Sequence, residues 1–412
     1  MKETITKKSY KHFFYFLFGQ EFSLLGSSIV YFVIGWWIAD NPIYLSLSSV
    51  LYIIPQILIA PIAGVLADRL NRKKILISID ATQACVTFGL FLLFFFNITN
   101  VWLVLSVNTI RSVLQAFHVP TFNAIIPSMV PKDRLNRVNG INNVFSSLMY
   151  MVGPILGGVL LVILPIRIIF LIDIITFVAA LIPLLLITIP SFNLGKKEER
   201  DSSFFKEFKI GLKTVKTVPG LLSLIFFAML INFIWRPFTD LMPYFIKEIH
   251  YGTPINLAFV TIFMPIANIT GGIINAFKKN WKRKTFIIMF GTIMIFIGYS
   301  FLIIAPTGSF IVMGIGLFIQ GISFNFIIVN YSTLLQSSVP SDKVGRIVSL
   351  DHSLTFAIIP IGSLIAGPLA LLIGIINLYF FSIVIGIAIT ILIWIFTDIH
   401  KLDHIGKEEI LT

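Results

Sequence analysis

The chain has 412 residues, of which 57% are hydrophobic and 12% are charged, and its formal net charge is +12. Soluble domains carry roughly 25% charged residues, so this composition excludes an ordinary soluble protein and favours one whose outer surface meets lipid. The single cysteine, Cys85, excludes an intramolecular disulfide and is expected to be a small core residue.

Twelve apolar runs follow one another along the chain, and each can form a membrane-spanning helix, which needs about 20 mostly apolar residues. Their approximate ranges are 13–39, 43–66, 75–97, 100–128, 139–164, 166–190, 219–246, 255–277, 285–305, 309–338, 345–373 and 375–397. Membrane β-strands would show short segments of alternating polarity instead. The first run contains Glu21 and lacks a small-residue cleavage site, so we expect it to be retained. The predicted fold class is an all-α membrane protein with twelve transmembrane helices.

Basic residues concentrate in alternate connections between the runs. With the first residue placed inside, all 31 Lys and Arg lie in inside segments except Arg111, Arg167, Arg236 and Lys247. This asymmetry matches the positive-inside rule. It predicts a multi-pass protein of the cell membrane with both termini cytoplasmic. It also explains the basic charge without nucleic acid as a partner.

The chain repeats itself at a spacing of 209 positions. Residues 130–138, VPKDRLNRV, match residues 339–347, VPSDKVGRI, and Gly153 and Gly362 keep the same spacing. Two halves of six spans with the same topology are parallel repeats, and transporters built in this way hold their substrate between the halves near the bilayer midplane. The spans are therefore predicted to form two pseudo-symmetric six-helix bundles.

The N-terminal bundle is predicted at 1–190, the C-terminal bundle at 219–412 and a cytoplasmic linker at 191–218. Within the linker, apolar residues recur at helical spacing with lysines between them: Phe204, Phe208, Leu212 and Val215. Such an amphipathic helix suits the anionic inner leaflet of a membrane. A plain helical linker is the alternative.

The stretch GVLADRLNRKK, residues 64–74, resembles the loop motif of the major facilitator superfamily, G-x-x-x-D-[RK]-x-G-[RK]-[RK], which that family has between helices two and three. The matching residues are Gly64, Asp68, Arg69, Arg72 and Lys73. Asn71 replaces the second Gly of the motif, which suggests a left-handed backbone position there. The resemblance implies a gating motif in which Asp68 approaches the start of helix eleven, near Arg346, and withdraws when the halves rock.

Span five contains GPILGG, residues 153–158, which resembles the GPxxGG core of the antiporter motif in drug-exporting members of that superfamily. The matching residues are Gly153, Pro154, Gly157 and Gly158, whereas Met149 replaces a more upstream Gly. Small residues let helices approach closely, and a proline permits a bend. We therefore expect a compact, bendable contact with the other half of the chain.

The segment from Arg111 to Pro131 is similar to the macrolide-efflux type of drug:proton antiporters, although Gln115 lies one residue later than in the helix-four motif of the family. The resemblance implies a secondary active transporter that exports amphipathic compounds, drug-like or macrolide-like, by proton antiport with alternating access. An exporter of an endogenous metabolite, such as a siderophore or a lipid, is the alternative.

Charged side chains within the spans are costly in lipid, so each is a functional hypothesis. Glu21 and Arg111 are expected to face one cavity, with Glu21 as proton carrier and as a contact for cationic substrate. A structural ion pair or a lumen-facing polar residue is the alternative. Arg236 and Asp240 share a helix face and are expected to pair, either for gating or as a structural ion pair. A helix break is expected at Pro237, between them.

Four further titratable residues lie in or near the spans. Asp173 is expected to make a structural pair, and His118 is expected to be a hydrogen-bonded packing residue. Asp80 and Asp351 lie close enough to the cytoplasmic ends of their spans to pair with the basic loops.

The sequence contains no G-x-x-x-x-G-K-[ST] phosphate loop, no HExxH motif and no His/Cys metal cluster. We therefore expect no cofactor, no metal site and no catalytic residues. A membrane-embedded enzyme is disfavoured, and so is the permease subunit of an ATP-driven complex, which would leave the repeat unexplained. The expected partners are an amphipathic small molecule, protons and the lipid bilayer, and the chain is expected to be monomeric.

The predicted orientation can be tested by cysteine labelling in a Cys85→Ser background. Thr99→Cys lies in an outside connection, so it should react with a membrane-impermeant maleimide on intact cells. Lys74→Cys lies in an inside connection and should react only after the cells are permeabilised. The reverse pattern would overturn the assigned orientation.

Overall fold

The first half of the chain forms six long helices. The computed structural model describes residues 7–189, 204–278, 281–341 and 343–403. The helices of the first half are α1 (Lys7–Trp37), α2 (Pro42–Arg69), α3 (Arg72–Phe95), α4 (Val101–Met129), α5 (Leu135–Ile163) and α6 (Ile166–Leu186). A 3₁₀ turn at Lys132–Arg134 precedes α5.

The second half repeats this pattern with two interrupted helices. It consists of α7 (Phe204–Thr217), α8 (Leu221–Asp240), α9 (Met242–Tyr244), α10 (Pro254–Phe277), α11 (Lys284–Ile304), α12 (Phe310–Ser337), α13 (Val344–Ala357), α14 (Ile359–Ile373) and α15 (Ile375–Phe396). A π-helical turn follows α9 at Phe245–Ile249, and a 3₁₀ segment follows α15 at Asp398–Asp403.

The helix starts carry the same repeat as the sequence. α4 begins at Val101 and α12 at Phe310, and α6 begins at Ile166 and α15 at Ile375, so both pairs are 209 positions apart. The internal duplication is therefore a property of the secondary structure as well as of the motifs.

The length and apolar composition of the helices indicate a membrane protein. Among the described residues, 11 helical segments are long and apolar enough to cross a bilayer. The remaining predicted span is α4, whose 29 residues include Asn108, Arg111, Gln115 and His118. These polar side chains lower its mean hydropathy, although its length would span a hydrocarbon core. The predicted all-α membrane fold class is confirmed.

Contacts between Cα atoms divide the chain into two compact units. The first comprises 1–197 with 252–258, and the second comprises 198–251 with 259–412. Within the first unit, α1 packs on α5 and α6, α3 packs on α4 and α6, and α2 packs on α4. One part of its core is built on Phe16, Leu76, Phe122 and Leu184, and another on Ile29, Val33, Leu90 and Phe170.

An aromatic stack lies in the core of the second unit. The ring of Phe238 lies 4.0 Å from that of Tyr299 and 4.5 Å from that of Tyr379, measured between centroids. Phe245 continues the stack at 5.0 Å from Tyr379. These rings join α8, α11 and α15 in the core of this unit.

The helix break predicted at Pro237 is wrong in its position. α8 continues through Pro237 to Asp240, and the interruption comes at Leu241, before α9. Pro243, in α9, has no N–H to donate to the preceding turn, which accounts for an interruption at this point. Pro360 has the same position in the first turn of α14, two residues after Ile358, which separates α13 from α14.

Two local expectations are also wrong. Asn71 has φ −70° and ψ 103°, so it is extended rather than left-handed, and its side chain accepts a hydrogen bond from Lys74 N at 3.1 Å. It is thus the N-cap of α3, a role in which Asn is favoured. Cys85 lies on an exposed face of α3 rather than in the core.

The connection between the halves is only partly described. Residues 190–203, which hold most of the charged linker, lie outside the described residues, and so do the side chains of residues 204–210. α7 packs against α13, and Val215 is fully buried whereas Lys213 and Lys216 are exposed. The amphipathic face of α7 therefore lies on protein along at least part of its length.

Close packing between α1 and α5 gives a stability prediction. A methyl group added at Gly153 would lie 2.5 Å from Ser28 Cβ, which cannot rotate away. Gly153→Ala should therefore destabilise the protein by about 1–3 kcal/mol, the usual cost of overpacking. Thermal unfolding of the purified protein measures the effect. The matched control is Gly140→Ala on the same helix, where a methyl group would meet no described atom within 4 Å. Equal melting temperatures for the two variants would contradict this packing.

Candidate functional site

A buried ion pair lies at the centre of the polar residues of the first unit. Arg111 Nη1 on α4 donates to Asp173 Oδ2 on α6 at 2.8 Å, and the same nitrogen contacts Thr87 Oγ1 on α3. Asp173 is fully buried and also lies 3.4 Å from Ser27 Oγ on α1. Four helices therefore meet at one pair of opposite charges, which satisfies both in a region where an unpaired charge would be costly.

Glu21 does not pair with Arg111 in this structure. Its Oε1 accepts a hydrogen bond from Ser146 Oγ on α5 at 2.7 Å. Its Oε2 is buried and has no hydrogen-bond partner in the described part of the chain. The expected Glu21–Arg111 partnership is thus replaced by two separate arrangements, because Asp173 occupies the position opposite the guanidinium.

Polar residues on α3 and α4 face one another along three levels. Asp80, Gln83 and Thr87 recur at helical spacing on α3 and are all buried. His118 Nε2 lies 3.4 Å from Asp80 Oδ1, and Gln83 Nε2 lies 3.5 Å from Gln115 Oε1. The third level is the Thr87–Arg111 contact. This arrangement, the α3–α4 polar ladder, runs along the interface between the two helices.

One end of the polar ladder is closed by α1. Gln20 Nε2 donates to Asp80 Oδ2 at 3.0 Å, and Gln20 Oε1 lies 2.7 Å from His118 Nε2. The amide therefore bridges the carboxylate and the imidazole. Asp80 was expected to pair with the basic loops, but it is fully buried among these neutral and imidazole groups instead. In the second unit, the Tyr331 hydroxyl donates to Asp351.

A cavity of about 410 Å³ opens beside the polar ladder, within the first unit. Its lining residues are Leu24, Ser27, Ser28, Tyr31, Tyr52, Gln56, Gln83, Asn108, Arg111, Gln115 and Tyr150. Polar and aromatic side chains dominate this lining, as is common where a pocket orients a small molecule. Arg111 belongs to the lining of this cavity, whereas Glu21 does not.

The basic turn between α2 and α3 binds the ends of neighbouring helices. Arg72 donates to Ala67 O at 3.0 Å and to Ala124 O at 2.8 Å. Lys73 donates to Leu185 O at 2.9 Å and to Ile187 O at 2.6 Å, where α6 ends. Cations are favoured beside the carbonyl groups of helix C-termini.

The other three members of the loop motif, Gly64, Asp68 and Arg69, lie at the end of α2. Arg69 is exposed in the last turn of α2, and Gly64 lies one turn earlier. The backbone of Asp68 belongs to α2, but its side chain lies outside the described residues.

The antiporter-like motif packs closely against two neighbouring helices. Positions Gly153 and Gly157 approach Ser28 and Phe32 of α1 so closely that a methyl group would lie within 3 Å of either side chain. At Gly158, which is buried, a methyl group would lie 2.8 Å from Pro254 O and 2.9 Å from Ala258 Cβ, at the start of α10. The close contacts of Gly153 and Gly157 are therefore with the first half of the sequence, and that of Gly158 is with the second half. α5 runs without interruption through Pro154.

Span seven carries the ion pair predicted from its spacing. Arg236 Nη2 donates to Asp240 Oδ1 at 2.7 Å, and Arg236 Nε donates to Ser363 Oγ on α14 at 3.0 Å. The pair therefore joins α8 to α14 inside the second unit.

Several polar residues of the site escaped the sequence prediction. Gln20, Gln83, Thr87 and Asn108 are uncharged, so a search for charges within the spans passes over them. For α3 and α4, the signal was the helical spacing of polar side chains, which places Gln83 and Thr87 on one face of α3 with Asp80, and Asn108 on one face of α4 with Arg111. The described residues contain no cluster of three or more His, Cys, Asp or Glu side chains that could hold a metal.

Repeated sets of long apolar helices around buried charges and a polar cavity are typical of a multi-pass membrane transporter of small molecules. A model of the Major Facilitator Superfamily matches residues 16–357. The chain belongs to this superfamily.

Named relatives and solved structures agree with this assignment. The chain is 28% identical over 388 residues to macrolide efflux protein A of Streptococcus pyogenes, covering 93% of this chain and 96% of that protein. It is also 28% identical over 314 residues to macrolide efflux protein A of Enterococcus faecalis, covering 76% and 97%. A bacterial homologue of the iron transporter ferroportin, in an inward-facing state, has a TM-score of 0.69 at 13% identity, covering 94% of this chain and 98% of that one. That structural likeness concerns the fold alone.

The buried Arg111–Asp173 pair gives a second stability prediction. Arg111→Met should destabilise the protein by about 3–5 kcal/mol, because it leaves a buried carboxylate without its cation. Arg111→Met/Asp173→Leu should recover most of that loss, because neither charge then remains. Denaturation of the purified variants measures both effects. Lys401→Met, which breaks the exposed pair with Asp398, is the control and should change little. Additive losses in the double variant would contradict this assignment.

Proposed function

We propose that the chain is a secondary active exporter of amphipathic, macrolide-like small molecules that exchanges protons for substrate by alternating access. The observation that carries this proposal is the similarity to macrolide efflux protein A, which extends over 93% of the chain. The proposed site of action is the cell membrane, with both termini cytoplasmic and the chain monomeric. Substrate and proton must each prefer one of the two access states, because a ligand shifts an equilibrium only through differential binding.

Glu21 is the proposed proton carrier. One of its carboxylate oxygens is buried without a hydrogen-bond partner in the described part of the chain, and the other is held by Ser146. A buried ionised oxygen without a partner is costly, and a bound proton removes that charge. Arg111 is neutralised by Asp173 on another helix, so it does not hold Glu21 in the ionised form by direct pairing.

The loop motif is the proposed latch. Arg72 and Lys73 fasten the ends of helices within the first unit, which leaves a carboxylate at Asp68 as the member proposed to engage and release the start of α13 near Arg346. Charges at helix termini contribute typically 0.3–1 kcal/mol when exposed, a size suited to a contact that must open in each cycle.

Transport by everted membrane vesicles tests the proton assignment. Vesicles holding the wild-type protein should accumulate a macrolide when a pH gradient is imposed and lose that accumulation when the gradient is collapsed. Glu21→Gln should lose gradient-driven accumulation by about tenfold or more, which corresponds to 1.4 kcal/mol or more. The matched control is Glu248→Gln, the same chemical change at an exposed position in the π-helical turn.

Two results would contradict the proposal in different ways. Gradient-driven accumulation that persists in Glu21→Gln would remove Glu21 as the carrier. Accumulation that is indifferent to the gradient in the wild-type protein would remove proton antiport.

A further inference from the structure

Four carboxamides line the cavity of the first unit: Gln56, Gln83, Asn108 and Gln115. A carboxamide carries two N–H donors and an acceptor oxygen. Three of them make only long contacts, at 3.5 Å for Gln83 with Gln115 and 3.4 Å for Asn108 Nδ2 with Ser48 Oγ, whereas Gln56 is hydrogen-bonded to the side chain of Tyr52. Bonds at this limit are weak, so Gln83, Asn108 and Gln115 retain capacity for stronger hydrogen bonds to a ligand.

The charges around the cavity cancel. Arg111 is the charged residue in the lining, and its guanidinium is bound to Asp173 at 2.8 Å. An anionic ligand would have to compete with that carboxylate for the guanidinium. A cationic ligand would find no carboxylate in the lining, since neither Glu21 nor Asp173 belongs to it. Burying an unpaired charge is costly, so an uncharged group is favoured over either ion.

Three tyrosines complete the lining: Tyr31, Tyr52 and Tyr150. The rings of Tyr31 and Tyr52 lie 5.3 Å apart, between centroids, with their planes at 53°. Such a surface offers aromatic faces for the C–H groups of a ligand. Together with the carboxamides, it complements a ring that carries C–H groups on its faces and hydroxyl groups at its edges.

The fold does not require these carboxamides. At the positions 209 residues later, Thr292 replaces Gln83, Leu317 replaces Asn108 and Phe324 replaces Gln115. The second half thus builds the same helices with smaller or apolar side chains. Polar groups inside a membrane protein are costly and often mark substrate or ion pathways. The carboxamides of the first half are therefore expected to bind a ligand.

We propose that this cavity binds an uncharged polyhydroxylated ring, such as the sugar of a glycoside, and that glycosides are a substrate class of this protein. The inference rests on the proposed export function and specifies the chemistry that one part of the substrate presents. The hydroxyl groups bond to the carboxamides, and the faces of the ring contact the tyrosines.

Binding of four fluorescent probes to the full chain in lipid nanodiscs tests the proposal. The probes are 4-methylumbelliferyl β-glucoside, the glucosaminide with a protonated amine, the anionic glucuronide, and 4-methylumbelliferone without a sugar. The glucoside should bind about tenfold or more tighter than each of the other three. Equal or tighter binding of any other probe would overturn the proposal, and so would the absence of glucoside binding.

Matched variants connect the preference to the cavity. Gln115→Leu and Gln83→Leu should each reduce the preference for the glucoside over the aglycone severalfold, whereas Gln320→Leu should leave it unchanged. Gln320 is buried on α12, outside the cavity, and undergoes the same chemical change. Melting curves show that each variant is folded, and the wild-type comparison of probes remains decisive if one of them is not. An unchanged preference in both cavity variants would overturn the assignment of the site.

The outcome remains distinguishable from that of the export proposal. Vesicles that still accumulate a macrolide under a pH gradient, while the glucoside fails to bind, would remove this inference alone. Failure of both measurements would remove the export proposal as well.

Discussion

The pairing of Arg111 with Asp173 is the constraint on which the arrangement of the first unit depends. A charge within a membrane-spanning helix must find its partner inside the protein, because lipid offers none. Satisfying this one pair brings α3, α4 and α6 together at Thr87, Arg111 and Asp173, and α1 joins them through Ser27. A shift of one helical turn in any of these helices would separate the charges. The ion pair therefore fixes the register of helices whose apolar surfaces would pack in several registers.

The two halves share a fold but not a polar interior. At the equivalent positions of the second half, the charged residues of the first are replaced by Leu230 for Glu21, Met289 for Asp80, Gln320 for Arg111 and Ser382 for Asp173. The second half instead carries Arg236 and Asp240 on a single helix. The same helix pattern thus forms with and without charges at given positions. We infer that the shared helix pattern does not depend on charges at these positions, whereas the packing of the first unit does depend on the Arg111–Asp173 pair.

The sequence predicted what depends on one helix and failed where several helices decide. Apolar runs gave the helices, and an i, i+4 spacing gave the Arg236–Asp240 pair, because both residues lie on one helix face. Arg111 shows the limit: its partner lies 62 residues away, and only the packing of α4 on α3 and α6 selects Asp173 over Glu21. The sequence placed the helix interruption at Pro237 rather than after Asp240. Both Pro237 and Pro243 lie near this point, and the local backbone decides which of them interrupts the helix. Gln83 and Asn108 were missed because uncharged side chains rarely stand out in a span.

Arg72 and Lys73 have two roles that are usually considered separately. As basic residues of a connection, they favour the side of the membrane on which that connection is retained. As donors to carbonyl oxygens of Ala67, Ala124, Leu185 and Ile187, they also hold the ends of three helices together. Insertion direction and helix assembly are therefore linked through the same two side chains. A descendant of this chain that inverted its topology by moving these charges would also lose these hydrogen bonds between helices. Such an inversion would therefore be a costly evolutionary step.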